Sequence, residues 1–149
     1  MARKDHMIYR MAYRMAMADG EISANEALIL HLFQHNMGLT KAEIETLRQE
    51  ATAFDYATLP AEFPERKDQL MLFETACLMA MLDGRSDPEE WELVIRLCDA
   101  LDIDRPQAQD CLARARERLY KLADKHNLLP EIIANLERDD QGEPDSGPG

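Results

Sequence analysis

Four carboxylates recur in this chain at one spacing. Met15-Ala-Met-Ala-Asp19-Gly20 leads to Glu26, and Met79-Ala-Met-Leu-Asp83-Gly84 leads to Glu90. The two Asp-Gly pairs lie 64 residues apart, and each Glu stands six residues after its Gly. Carboxylate oxygens are hard donors, so Asp19, Glu26, Asp83 and Glu90 together suit calcium, magnesium or manganese rather than a softer ion. Paired acids can also divide general acid and base roles when their environments separate their pKa values. No substrate-positioning loop or oxyanion donor can be read beside Asp19 or Asp83, however, and there is no GxSxG and no phosphate-cradling glycine loop. A non-enzymatic module is the expectation, with no catalytic residue and no organic cofactor.

Two readings of the acids stand side by side. Glu26 and Glu90 sit third after Ser23 and Asp87, where a carboxylate closes a capping box and favours the positive end of the helix dipole. The Gly after each Asp is an ordinary helix terminator. Against capping alone, Asp19 and Asp83 fall in the last turn of their helices, where a negative charge opposes the dipole by roughly 0.3–1 kcal/mol. Helical spacing also places the acids on inward faces: Asp19 follows Met15, Ala12 and Ile8, and Asp83 follows Met79, Ala76 and Leu72. Four carboxylates bordering a core need a cation, a basic side chain or a raised pKa to relieve them.

Neighbouring motifs narrow the chemistry. Residues 19–26 match the last eight positions of an EF-hand loop, but its first and third positions would be Met15 and Met17, and in the second copy Met79 and Met81, which offer no oxygen ligand. His31 and His35 are four apart, a zinc spacing, yet Leu32-Phe33-Gln34 lies between them without the Glu of a metalloprotease, and both point away from the Leu28–Leu32–Phe33 face. Cys77, Cys98 and Cys111 are odd in number, share no CxxC spacing and occupy helical core positions, so they read as buried thiols in a reducing cytoplasm. A formal charge of −12 disfavours nucleic acid and anionic membranes as partners and leaves cations and basic protein surfaces open. The longest apolar stretch, 70–82, is interrupted by Glu74 and Thr75 and is too short to span a bilayer. The N-terminus has no signal-peptide pattern.

The elements that hold these acids are helical. Start and stop signals divide the chain into about seven helices, and no segment alternates with the period of a strand. The first covers 5–18, with Ile8, Met11, Ala12 and Met15 inward. Ser23 opens the second, which Gly38 ends, and Thr40-Lys-Ala-Glu43 caps the third, carrying Ile44, Leu47 and Ala51. A linker spans 54–64. The fourth helix, 65–82, is apolar around much of its circumference and is the expected centre of the core. Asp87-Pro88-Glu89-Glu90 starts the fifth, whose inward face is Trp91, Leu93, Val94, Leu97 and Leu101. Asp104-Arg-Pro106-Gln107 starts the sixth, and Pro130 a short seventh with Ile132, Ile133 and Leu136. The residues from 137 to 149 have the composition of a disordered acidic tail. Sliding the chain by 64 lays Ile29 on Leu93, Leu30 on Val94, Phe33 on Leu97, Met37 on Leu101 and Leu39 on Ile103. The expected architecture is therefore all-α: one compact domain over 1–136, built from pseudo-repeated units at about 7–53 and 70–122.

The repeated order of apolar helix, Ala-Asp-Gly or Leu-Asp-Gly, polar turn, Glu and apolar helix resembles the TerB-like family, which takes in tellurite-resistance protein TerB and the N-terminal domain of DjlA-type co-chaperones. The resemblance covers about 7–122. It implies a helical bundle, a cytoplasmic prokaryotic protein, a role in tellurite resistance or in metal or envelope stress, and a divalent-metal site at Asp19, Glu26, Asp83 and Glu90. Two departures stand out: Arg85 and Ser86 replace Glu21 and Ile22 in the second motif, and no J-domain follows. A protein partner is expected under either of two functions, the metal-responsive module or a metal-independent interaction scaffold. Nine methionines favour the second, since Met adapts to varied surfaces.

Overall fold

The computed structural model describes residues 3–18, 20–53, 55–82 and 88–126. Within them the order is α1 (Arg3–Ala16), α2 (Ala24–Met37), α3 (Lys41–Thr52), a 3-10 turn (Tyr56–Thr58), α4 (Leu59–Glu62), α5 (Arg66–Met81), α6 (Pro88–Ala100) and α7 (Arg105–His126). No strand occurs among the described residues, so the fold is all-α. The helix expected from Pro130 and the tail from 137 lie outside them.

Local chemistry places most of the boundaries. Ser23 and Thr40 cap α2 and α3 with their side chains, and Glu26 and Glu43 reach back to the cap N–H in both. Gly38 ends α2 at φ 65°, a left-handed conformation that glycine adopts without a Cβ penalty. Asp104 Oδ1 accepts from the Gln107 N–H at 2.9 Å and starts α7. At the end of α1 the structure differs from expectation: the helix stops at Ala16, two residues early.

The linker is also more ordered than its prolines suggest. Asp55 caps the 3-10 turn by accepting from the Ala57 N–H at 3.0 Å, and α4 follows directly. Leu59 and Phe63, four residues apart, are both buried, and this helical spacing lets the segment plug the core rather than loop over it. The buried Gln69 holds its far end by donating to the Phe63 carbonyl at 2.8 Å.

Two helices form the spine. In α5 every residue from Thr75 to Met81 is buried, matching its apolar circumference. It packs against α1, α6 and α7, while α1 also carries α2 and α3. Side-chain pairs set the directions. His6 faces Glu43 and Arg10 faces Glu50, so α3 runs parallel to α1. Cys111 meets the Leu70 carbonyl, and Arg114 and Arg118 both meet Glu74, so α7 runs parallel to α5. Arg66 at the start of α5 grips Leu101 and Asp102 at the end of α6, so those two are antiparallel.

Boundaries and burial recur at the 64-residue spacing. Ala24 and Pro88 begin α2 and α6, and Lys41 and Arg105 begin α3 and α7. Gly38 and Asp102 are both left-handed, at φ 65° and 53°. Ile29, Leu30, Phe33 and Leu39 are buried, as are Leu93, Val94, Leu97 and Ile103. The Arg10–Glu50 ion pair has its counterpart, with the charges exchanged, in Glu74–Arg114.

Candidate functional site

Among the described residues five polar side chains are buried: Asn25, Glu26, Gln69, Thr75 and Glu90. Two have plain structural roles. Gln69 ties down Phe63, and the Thr75 hydroxyl donates to the Met71 carbonyl one turn back at 2.9 Å. The other three sit in the first turns of α2 and α6, and two of them are acids that the sequence singles out.

Glu26 is 1% exposed. Its Oε1 accepts from the Ser23 N–H at 2.8 Å, and its own N–H donates to Ser23 Oγ at 3.1 Å, a complete capping box. Oε2 is buried and has no hydrogen-bond partner among the described residues. Thr40 and Glu43 make the same box with the same distances, 2.8 and 3.1 Å, at a solvent-accessible site. Capping therefore does not require the carboxylate to be buried. Burial of Glu26 withdraws one oxygen from water without a donor in exchange, which costs on the order of 1–3 kcal/mol, more for a charged group. The first turn of α2 offers the N–H groups a carboxylate wants, yet only one oxygen uses them.

Glu90, the third residue of α6, is likewise 1% exposed. Beside Glu26, Asn25 is 8% exposed, with its Oδ1 buried and lacking a donor. Nothing in the sequence flags Asn25. A single polar residue next to an acid carries no periodic signal, so the burial of Asn25 emerges only in the folded chain. Asp19 and Asp83, the other two expected ligands, lie outside the described residues. Among the described residues no group of three or more His, Cys, Asp and Glu side chains comes together in a way that would hold a metal ion. What the structure describes is thus two buried carboxylates, Glu26 with an unsatisfied oxygen. A free acceptor oxygen in a buried carboxylate fits a hard cation.

Competing motifs resolve as structural. Met15, Met79 and Met81 are core residues, so an EF-hand start is absent where the loop would need one. His31 and His35 are exposed on α2. Cys77 and Cys111 are buried, and burial pushes both thiols up from their ordinary pKa, which keeps them protonated. Cys98 departs from the expected full burial: it is half-buried, with Sγ donating to the Ile103 carbonyl at 3.3 Å across the α6–α7 turn. Trp91 is also only partly buried, because the inward stripe of α6 centres on Leu93, Val94 and Leu97. No helix among the described residues is long and apolar enough to cross a membrane.

A family model described as tellurite resistance protein TerB matches residues 6–115. No curated protein and no solved structure matches the chain.

Proposed function

This chain belongs to the TerB family, and on that premise we propose that it is a non-enzymatic helical module that binds a hard divalent cation through Asp19, Glu26, Asp83 and Glu90. One observation carries the reading: Glu26 is 1% exposed, and its Oε2 lacks a donor although the capping chemistry of α2 is complete without it. A bound cation would neutralise the buried carboxylate and stabilise the α1–α2 turn against the start of α2. We read the 64-residue recurrence of helix starts, left-handed caps and buried positions as two copies of one unit, each with an acidic turn. By family likeness the module serves tellurite resistance or a metal or envelope stress response in the cytoplasm.

The test is a thermal-unfolding titration with calcium, magnesium and manganese chlorides. A ligand that binds the native state alone raises stability by about 2.7 kcal/mol at a hundredfold excess over its dissociation constant. Asp19→Asn with Asp83→Asn is expected to abolish that shift. A flat response to all three ions in the wild-type protein overturns the cation reading. Turnover of phosphoester, ester or glycoside substrates that disappears in Glu26→Gln or Glu90→Gln overturns the non-enzymatic one.

A second reading, a scaffold that binds a protein partner without metal, is favoured by the formal charge of −12, which suits a basic protein surface. Capture of one defined partner that persists in chelator and weakens with rising salt supports it.

A further inference from the structure

We propose that the cleft between the ends of α1 and α3 is a binding site for a small oxyanion of the phosphate or sulfate class, with Arg14 in its wall and Arg96 of α6 adding to the positive charge around it. The cleft holds about 180 Å³ and is lined, among the described residues, by Arg14, Met17, Ala51 and Thr52. Arg14 lies in the last turn of α1 and is half-buried. It makes no hydrogen bond or ion pair among the described residues. Arg10, Arg66 and Arg118 are also half-buried, but they place their guanidinium groups on acceptors of another element. A half-buried guanidinium has given up part of its water, and its planar fork is matched by two oxygens held on one atom. Chloride offers no such pair.

The charge near the cleft has the sign that an anion needs. The 3-10 turn packs against α6, and its Tyr56 feels the charges of both Arg14 and Arg96, with no described carboxylate acting on it. This runs against the net charge of −12 carried by the whole chain. Burial pushes the Tyr56 phenol up, so at neutral pH it adds no negative charge of its own. One force opposes the site. Because α1 and α3 are parallel, both turn their C-terminal ends toward the cleft, and each negative dipole end weakens an anion by roughly 2–5-fold. A charge-assisted hydrogen bond strengthens it by roughly 10–150-fold, so a single bond from Arg14 outweighs both helix ends. The competing role for Arg14 is to offset the α1 dipole by itself, which needs neither a cleft nor Arg96.

The inference is independent of the cation reading, and a test in EDTA lets the two stand or fall separately. The full isotope-labelled chain is titrated with sodium phosphate and with sodium sulfate, against sodium chloride at matched ionic strength. Saturable amide shifts at residues 14–17, 51–52 and 56 are expected with either oxyanion and not with chloride. Arg14→Met, which keeps the apolar stem, should weaken binding by at least about tenfold. Arg14→Lys should also bind more weakly than wild type, because a point charge cannot serve two oxygens at once. Phosphate should raise the unfolding midpoint more in wild type than in Arg14→Met, since only a bound ligand adds to the general effect of the salt. Shifts that stay linear in concentration, or that chloride reproduces, overturn the site. Unchanged affinity in Arg14→Met overturns it too, and a lower midpoint alongside assigns Arg14 to the helix dipole. If Arg14→Met does not fold, wild-type affinity in Arg96→Gln, a change at an exposed position, overturns the proposal.

Discussion

Replacing Arg66 with Met should destabilise the fold by about 2–4 kcal/mol, on the order of 1 kcal/mol for each lost bond with a discount for overlap. Arg66 is half-buried at the first residue of α5, and its guanidinium makes four hydrogen bonds to three different elements. Nη1 donates to Gln69 Oε1 at 2.8 Å and to the Leu101 carbonyl at 2.5 Å. Nη2 donates to the Asp102 carbonyl at 2.6 Å and to Gln107 Oε1 at 3.0 Å. Two of these acceptors are carbonyls at the end of α6, left without intrahelical donors and lying at the negative end of the helix dipole. A fixed cation there satisfies the carbonyls and opposes the dipole together. Exposed Asp102 regains water when the guanidinium is lost, which keeps the estimate below the sum of four charged bonds. Methionine retains the apolar stem, so the loss isolates the fork. Urea unfolding followed by far-UV circular dichroism measures it, with an expected fall in melting temperature of roughly 6–15 °C for a domain of this size. Arg66→Lys should recover less than half, because a point charge cannot serve the parallel acceptors that a planar fork reaches. A change under about 0.5 kcal/mol, the range of ordinary surface substitutions, would refute the clamp.

The left-handed caps give a paired expectation: Gly38→Ala at φ 65° costs about 1 kcal/mol, whereas Asp102→Gly at φ 53° is neutral to stabilising by a few tenths. Urea midpoints of the two variants should move in opposite directions or the second not at all. Glu43 titrates below its ordinary value of 4.5, chiefly because the Thr40 backbone N–H donates to its carboxylate. A depressed folded pKa adds stability above the unfolded value and loses it as pH falls through the folded one. Glu43→Gln should therefore lose less stability than wild type on acidification from neutral pH to about pH 3, and parallel urea curves for the two proteins across that window would contradict this.

Much of the helical frame is legible in the residues. The Ser23–Glu26 and Thr40–Glu43 boxes, Gly38, and the Asp104–Gln107 start act over three or four residues, so their chemistry appears directly in the sequence. The inward stripes of α1, α2 and α6 and the burial of residues 75–81 in α5 follow from their apolar pattern, because a helix face that is greasy at the right spacing has to be covered. The inward placement of Glu26 and Glu90 follows from the same periodicity. Tertiary structure alone decided the rest. Leu59 and Phe63 turn a proline-bearing linker into a core plug only because a gap between helices accepts them. Arg66 reads as a surface residue until α6 and α7 bring three acceptors to it across 35 to 41 positions of sequence. Asn25 shows the same limit at the candidate site. Its burial is set by what the folded chain packs over the first turn of α2, and an unsatisfied oxygen is a relation between a group and its whole surroundings, which no local pattern of residues contains.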